Sequence, residues 1–573
     1  MKIYTVKQTI ISLALLVGVS ISGCKLIDPP PDYKVAEDPL IVRGDSVEVK
    51  VDVQFHPESF HKKAIISATP VLYHENGEDE LKTETFQGEE VPENHITVPN
   101  KAGKSHTYVD KLPYKESYKE SKLKVKLVAK KGDKTKKITS DKIADGVITT
   151  PYLMMDDDKP IMAKDNFQRT TTHTMEPKIH YRISSPKVRR SELRKKDIKK
   201  FETLLDSIAK NEKKSIKSMK IEAYAYPDGE LSKNSDLAKN RAKSAKKYVM
   251  GEMKDRKIKA GQKDGFYSLN PKGEDWKGFK KAMKASDIKD KDIIIRILGK
   301  YSGEKREKEI KNVAKTYKVI ADKILPNLRR SRMKLTYEIV GKTNEELVKL
   351  AKSNPDSLKI EEIMKAGSLI DDMNEKLSVY KAAAKNHPND WRPANNVGYI
   401  YMQQNKISKA EKQFKKAKEV EQNPIVSNNL AIVKRMKGNR EKAMTLLEAA
   451  SGAGSEVSYN KGLIHIQNGM YDKAIKAMGD NNTFNLALVK LLSGDLEGAQ
   501  KALDKAPSNS TAKGKYLQAI IHTRNDKPED AVKALESAIS KDASLKSKAK
   551  EDLEFQDLRS NEDFKSMVGM SSS

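Results

Sequence analysis

At 573 residues the chain has room for several domains of about 100–200 residues each. Its single cysteine excludes a fold stapled by internal disulfides, and its one long apolar run, at the extreme N-terminus, excludes a polytopic membrane protein. Lys and Arg number 109 against 80 Asp and Glu, a formal net charge of +29, which favours anionic neighbours. Acidic residues are interleaved almost everywhere, so most of the lysine reads as a solvated face.

Lys2 and Lys7 precede an apolar stretch from Ile10 to Val19, which ends in small residues before Cys24. The stretch is shorter than the ~20 apolar residues of a spanning helix and reads as an export signal over residues 1–23. Ile21-Ser22-Gly23-Cys24 resembles the lipobox of bacterial lipoproteins. That resemblance implies a diacylglycerol thioether and an N-acyl chain on Cys24, with no other cofactor. Two or three acyl chains anchor stably where one does not, and the resemblance implies that the membrane is an outer membrane. Lys25-Leu26-Ile27-Asp28 leaves the periplasmic face and the cell surface both open. Residues 24–40, with Pro29-Pro30-Pro31, predict a stiff extended tether.

Residues 41–165 read as a β-sandwich. Val47, Val49, Val51, Val53 and Phe55 alternate with polar residues, as do Leu123, Val125 and Leu127, the pattern of strands with one buried face. Lys131-Gly132-Asp133 before Ile138 is a hairpin signal. His56 and His61 lack a third ligand nearby, and Asp156-Asp157-Asp158 lacks the spacing and glycine of a calcium loop. The three aspartates read as a solvated linker turn, and no metal site is expected.

Residues 170–345 alternate strand and helix. Ile179, Tyr181 and Ile183 predict a strand, and a helix follows from Ser191. Met219, Ile221, Ala223 and Ala225 predict a second strand, and Asn234 to Met250 a second helix. Ile293 to Leu298 reads as a buried strand, Ile310 to Ile324 as a helix, and Met333 to Ile339 as the last strand. Ile221-Glu-Ala-Tyr-Ala-Tyr-Pro-Asp-Gly229, Asn234, Leu237 to Ala242 and Arg329-Arg330-Ser331-Arg332 resemble the OmpA-like peptidoglycan-binding module. The resemblance implies an α+β domain with an insertion around 252–290. Arg241 falls at the family's carboxylate-gripping arginine, while Tyr226 replaces the aspartate that holds the ligand's amine. Asp228 lies two residues on. A peptidoglycan or docking site would draw on Arg241, Asn234, Asp228 and Tyr226.

After a connector at 346–367, residues 368–550 repeat. Gly398, Tyr401, Ala410, Phe414 and Ala417 resemble positions 8, 11, 20, 24 and 27 of a tetratricopeptide (TPR) repeat. The alanines Ala410, Ala443, Ala474, Ala499 and Ala531 recur 33, 31, 25 and 32 residues apart. Residues 551–573 read as a cap and tail. Such arrays present concave protein-binding surfaces, here lined by Asn395, Asn396, Asn428, Asn429, Asn460 and Asn485.

The expected fold is therefore multidomain: a β-sandwich, an α+β OmpA-like module and a C-terminal α-solenoid. No phosphate loop, dinucleotide fingerprint, zincin motif or nucleophile elbow occurs, so no catalytic residue is assigned. The expected function is a non-catalytic outer-membrane lipoprotein, resembling those of the Bacteroidota, acting as a scaffold or accessory subunit of an envelope machine for outer-membrane protein assembly or secretion. Its partners would be the outer membrane and other envelope proteins, and not nucleic acid. The alternatives are a peptidoglycan-binding tether and a surface adhesin or coat protein.

Overall fold

The computed structural model describes residues 26–225, 230–263 and 265–571. Cys24, Tyr226 and Asp228 lie outside these. The chain forms two compact units, one built from the stretch up to Ala163 together with His387–Ser573, the other from Lys164–Asn386.

The first unit opens as a sandwich of two mainly antiparallel sheets. Strand Ser46–Phe55 is central to one, paired with Asp32–Val35, Leu40–Arg43 and Lys104–Pro113. Strand Ile65–His74 is central to the other, paired with Glu84–Gly88 and Lys122–Lys131. Alternation puts Val47, Val49 and Val51 against Leu72 and Leu123 of the facing sheet. Residues 26–40 are not the free tether expected from the prolines of this segment. Leu26 and Ile27 are buried with Phe55 and Phe60, and Tyr33 sits in a strand. Two apolar side chains beside the proline run had a core to enter, and burial outweighed the stiffness of the segment.

The same unit ends in five helix pairs. They are Trp391–Gln403 with Ile407–Val420, Pro424–Met436 with Arg440–Ala449, Ser455–Gln467 with Tyr471–Met478, Phe484–Leu492 with Leu496–Lys505, and Ala512–Arg524 with Pro528–Lys541. Close approach within a pair depends on small residues: a Cβ on Gly398 would stand 2.5 Å from the Phe414 ring. Phe555 and Phe564 of the C-terminal segment complete the core of the last pairs. The sandwich docks on this array through Asp45, which accepts from Arg440 at 2.7 and 2.9 Å.

The second unit holds a mixed sheet in the order Thr170–Met175, Arg330–Val340, Lys214–Ala225, Tyr267–Glu274. The last two strands are parallel, so a crossover must join them, and helix Leu231–Asp255 supplies it. Two sequence expectations fail here. The segment 252–290 is not one insertion, because Tyr267–Glu274 is a strand of the sheet; the added helices run from Trp276 to Leu328. Ile293–Leu298 is not a strand but part of helix Lys291–Lys300. A short isoleucine run fits either element, and packing of Ile294 against Phe279, Met283 and Ile320 settles it as helix. Helices Asn344–Ser353, Ile360–Leu369 and Met373–Asn386 close this unit.

Candidate functional site

The concave face of the helical array is lined by the first helix of each pair. Asn396, Asn429, Asn460 and Asn485 each stand two residues before the small residues Gly398, Ala431, Gly462 and Ala487. They therefore share one helical position and one face. All four are at most 1% exposed, and what covers them is the chain's own segment 154–163.

Each asparagine takes both backbone groups of one residue of this strap. Asn485 accepts from Met155 N–H and donates to its carbonyl, both at 2.8 Å. Asn460 does the same to Lys159 at 2.8 and 3.1 Å, and Asn429 to Ile161 at 2.8 Å in both directions. Asn396 holds Ala163 at 2.8 and 3.0 Å. The clamped residues are all odd-numbered, the two-residue period of an extended chain. Pro160 falls between clamps, where no N–H is required, and it keeps Lys159 extended.

Asn395 and Asn428, one position earlier in their helices, join the clamps into a network. They donate to the carbonyls of Ile161 and Lys159 at 3.2 and 3.1 Å. Their own oxygens accept from Asn429 and Asn460, each at 2.9 Å. Every asparagine that the sequence placed in a partner groove is thus present in the groove, but engaged within the chain.

Asp156 of the strap is 66% exposed, but Asp158 is 6% exposed, and all three aspartates have partners on the array rather than forming a free turn. Arg435 donates through Nε to Asp158 at 2.7 Å and through Nη2 to Asp156 at 2.8 Å. Burial pushes the Asp158 carboxyl up, and Arg435 opposes the rise. The Tyr459 hydroxyl donates to Asp157 at 2.8 Å, and Lys159 Nζ lies 4.9 Å from the centre of the Tyr459 ring. Sequence reasoning missed Arg435 and Tyr459. The available signals were the acidic triplet followed by proline and the recurrence of asparagine at a single repeat position.

In the second unit, Arg241 is built into the fold. It is fully buried at 0% exposure and donates to the carbonyls of Tyr224, Arg182 and Ser185 at 2.8, 3.0 and 3.2 Å. Its guanidinium lies 5.1 Å from the centre of the Tyr181 ring. Asn234 donates to Glu274 at 2.9 Å. Nearby, an open cleft of about 550 Å³ is lined by His180, Arg182, Arg189, Glu192, Lys195 and Arg329. Burial raises the Glu192 carboxyl, but Lys195 and the His180 N–H outweigh it, and the net shift is downward. Among the described residues no cluster of His, Cys, Asp and Glu could hold a metal ion, and no helix is long and apolar enough to cross a membrane.

The tetratricopeptide repeat family matches residues 393–424 and 455–479. Together with the helix pairs, this makes the C-terminal array a set of tetratricopeptide repeats, a fold typical of protein-interaction scaffolds. The chain is similar to the BBSome complex member BBS4 of Bos taurus, 28% identical over 112 residues, which cover 19% of this chain and 22% of that protein's length. Among solved structures it is similar to PilF of Pseudomonas aeruginosa, with 16% identity over 38% of this chain and 99% of that one, at a TM-score of 0.28. It is also similar to a tetratricopeptide repeat protein of Parabacteroides merdae, with 14% identity over 43% and 98% of the two chains, at a TM-score of 0.29.

Proposed function

We propose that this chain is a non-catalytic lipoprotein of a bacterial outer membrane, serving as a scaffold or accessory subunit of an envelope machine for outer-membrane protein assembly or secretion. The observation that carries the scaffold reading is the repeat array tied to the sandwich by the asparagine ladder and by the Asp45–Arg440 pair. Two modules joined in this way offer partners one preset surface. Val420, Met436 and Met470 are exposed on the array and are candidate contact points.

The lipid anchor rests on the Ile21–Cys24 motif. Leu26 is already part of the sandwich core, so a lipidated Cys24 would hold that domain directly against the bilayer rather than on a leash. The peptidoglycan alternative is the weaker one, because each guanidinium nitrogen of Arg241 already donates to a backbone carbonyl.

The test is made in cells producing the full chain. Clickable palmitate should label the protein and fail to label Cys24→Ala. A photo-crosslinking residue at Val420 or Met470 should give discrete adducts with envelope proteins. A labelled, correctly localised protein that gives no adduct from either position would sink the scaffold reading.

A further inference from the structure

We propose that the asparagine groove is a peptide-binding site with a resident occupant, and that the partner it fits is an extended acidic segment that competes with residues 154–163. The inference rests on the scaffold reading and adds the chemistry of the partner.

Apart from Asn485, which also donates to Asp157 Oδ1 at 2.8 Å, the clamps bond the N–H and C=O of Met155, Lys159, Ile161 and Ala163. Any extended chain offers those groups, so the clamps select conformation and not side chain. Selectivity comes from Arg435, which takes the carboxylates of Asp156 and Asp158, and from Tyr459, which takes Asp157. A competing segment therefore carries carboxylates on neighbouring and alternate positions, and it tolerates proline between clamp points.

The strap is laid on the array rather than built into it. From Met154 to Met162 every residue keeps part of its surface in solvent, and only Ala163 is buried. Its apolar contribution is the buried Ala163 together with Met154, Met155 and Ile161, each partly buried at the edge of a cluster. The Ala410–Phe414–Leu430 cluster of the first two helix pairs contains no strap residue. Repeat arrays are stabilised by contacts between neighbouring repeats, so lifting the strap leaves those contacts in place. The uncovered amides and the guanidinium would face water, which satisfies them as an apolar groove could not be satisfied.

A tethered occupant acts at an effective concentration on the order of millimolar, so the test weakens the strap while keeping the whole chain. The probe is a dye-labelled synthetic peptide, Met-Met-Asp-Asp-Asp-Lys-Pro-Ile-Met-Ala, with an all-Asn version of its three aspartates as control. Full-length protein carrying D156N and D158N should bind the acidic peptide roughly ten-fold or more tighter than the wild type does, and the control roughly ten-fold weaker, as expected when a charge-assisted pair is lost. Hydrogen exchange on the wild type needs no variant to fold. The amides of Met155, Lys159, Ile161 and Ala163 should exchange through local opening about ten-fold or more faster than the core amides of helix Ser455–Gln467. If those four amides exchange only with global unfolding, or the acidic peptide binds neither form, the groove is a permanent structural joint and the proposal fails. Equal binding of the acidic and all-Asn peptides overturns the carboxylate selectivity. Neither readout involves cross-linking from Val420, so failure here and failure of the scaffold reading register separately.

Discussion

Arg435 closes on Asp158 across 277 positions of sequence, its Nε donating to Oδ1 at 2.7 Å. The two side chains are 2% and 6% exposed. A pair this well covered was taken out of water on both sides, so its members depend on one another.

Replacing one partner strands the other. Arg435→Met should cost up to about 3–5 kcal/mol, the range for an uncompensated buried charge, and less to the extent that the strap lifts and lets Asp158 reach water. The double variant with Asp158→Leu should recover much of that loss, because a packed apolar pair avoids the desolvation penalty. Urea denaturation of the single and double variants measures both, and equal losses in the two would contradict the account.

Glu411 gives the array an acid-sensitive contact. Its carboxylate accepts from Lys434 at 2.8 Å and from Lys437, and lies 3.1 Å from Lys415. The hydrogen bonds from Lys434 and Lys437 lower its pKa from 4.5 to about 2. The folded value is the lower one, so the stabilisation is complete above the unfolded pKa and is lost as pH falls from there to about 2. Glu411→Gln should therefore destabilise the protein at pH near 7, and its deficit against the wild type should shrink steadily in denaturation curves run toward pH near 3. A deficit independent of pH would rule out the lysine contacts as its source.

Equivalent glycines should respond unequally to alanine. At Gly398 the new Cβ would meet the buried Phe414 ring at 2.5 Å, whereas at Gly462 it would meet Met478 Cγ at 2.6 Å. The Phe414 ring moves only as a rigid unit, whereas a change of χ1 at Met478 carries its Cγ away, at some cost because that side chain is buried too. Gly398→Ala should cost about 1–3 kcal/mol, the usual range for overpacking, and Gly462→Ala clearly less. Thermal melts of the two variants make the comparison.

Arg241→Ala should act on folding rather than on cell-wall binding alone. The change leaves the carbonyls of Tyr224, Arg182 and Ser185 without this donor, at roughly 1–3 kcal/mol for each one that stays buried and unsatisfied. Limited proteolysis should cut Lys164–Asn386 faster in the variant. A variant that keeps wild-type protease resistance and loses only sacculus co-sedimentation would restore the ligand role.

The repeats could be read from the chain because their signal is periodic. Ala410, Ala443 and Ala474 recur at nearly constant spacing, since each must admit a neighbouring helix. The sandwich strands announced themselves through the alternation of Val47, Val49 and Val51 for a similar reason. Strand Tyr267–Glu274 gave no such sign: Ser268, Asn270, Pro271 and Lys272 interrupt it. It is a strand because it pairs with Lys214–Ala225, and pairing is not a property of the segment itself.

The asparagines show where local reading stops. Their recurrence at one repeat position placed them together on one face of the array, and that follows from helical geometry alone. Nothing at Asn429 or in its neighbours tells whose backbone it holds. An amide bonds a partner's peptide and a peptide of its own chain with equal readiness, and Ile161 lies 268 positions away. The acidic triplet and Arg241 follow the same logic, since a charged side chain carries no local mark of the group that will bury it. Sequence by itself determined the periodic elements, whose causes lie within a few residues. The occupant of the groove, the partners of Arg241 and the helical state of Lys291–Lys300 were decided by distant segments brought into contact, where burial and hydrogen-bond satisfaction select among states that look alike along the chain.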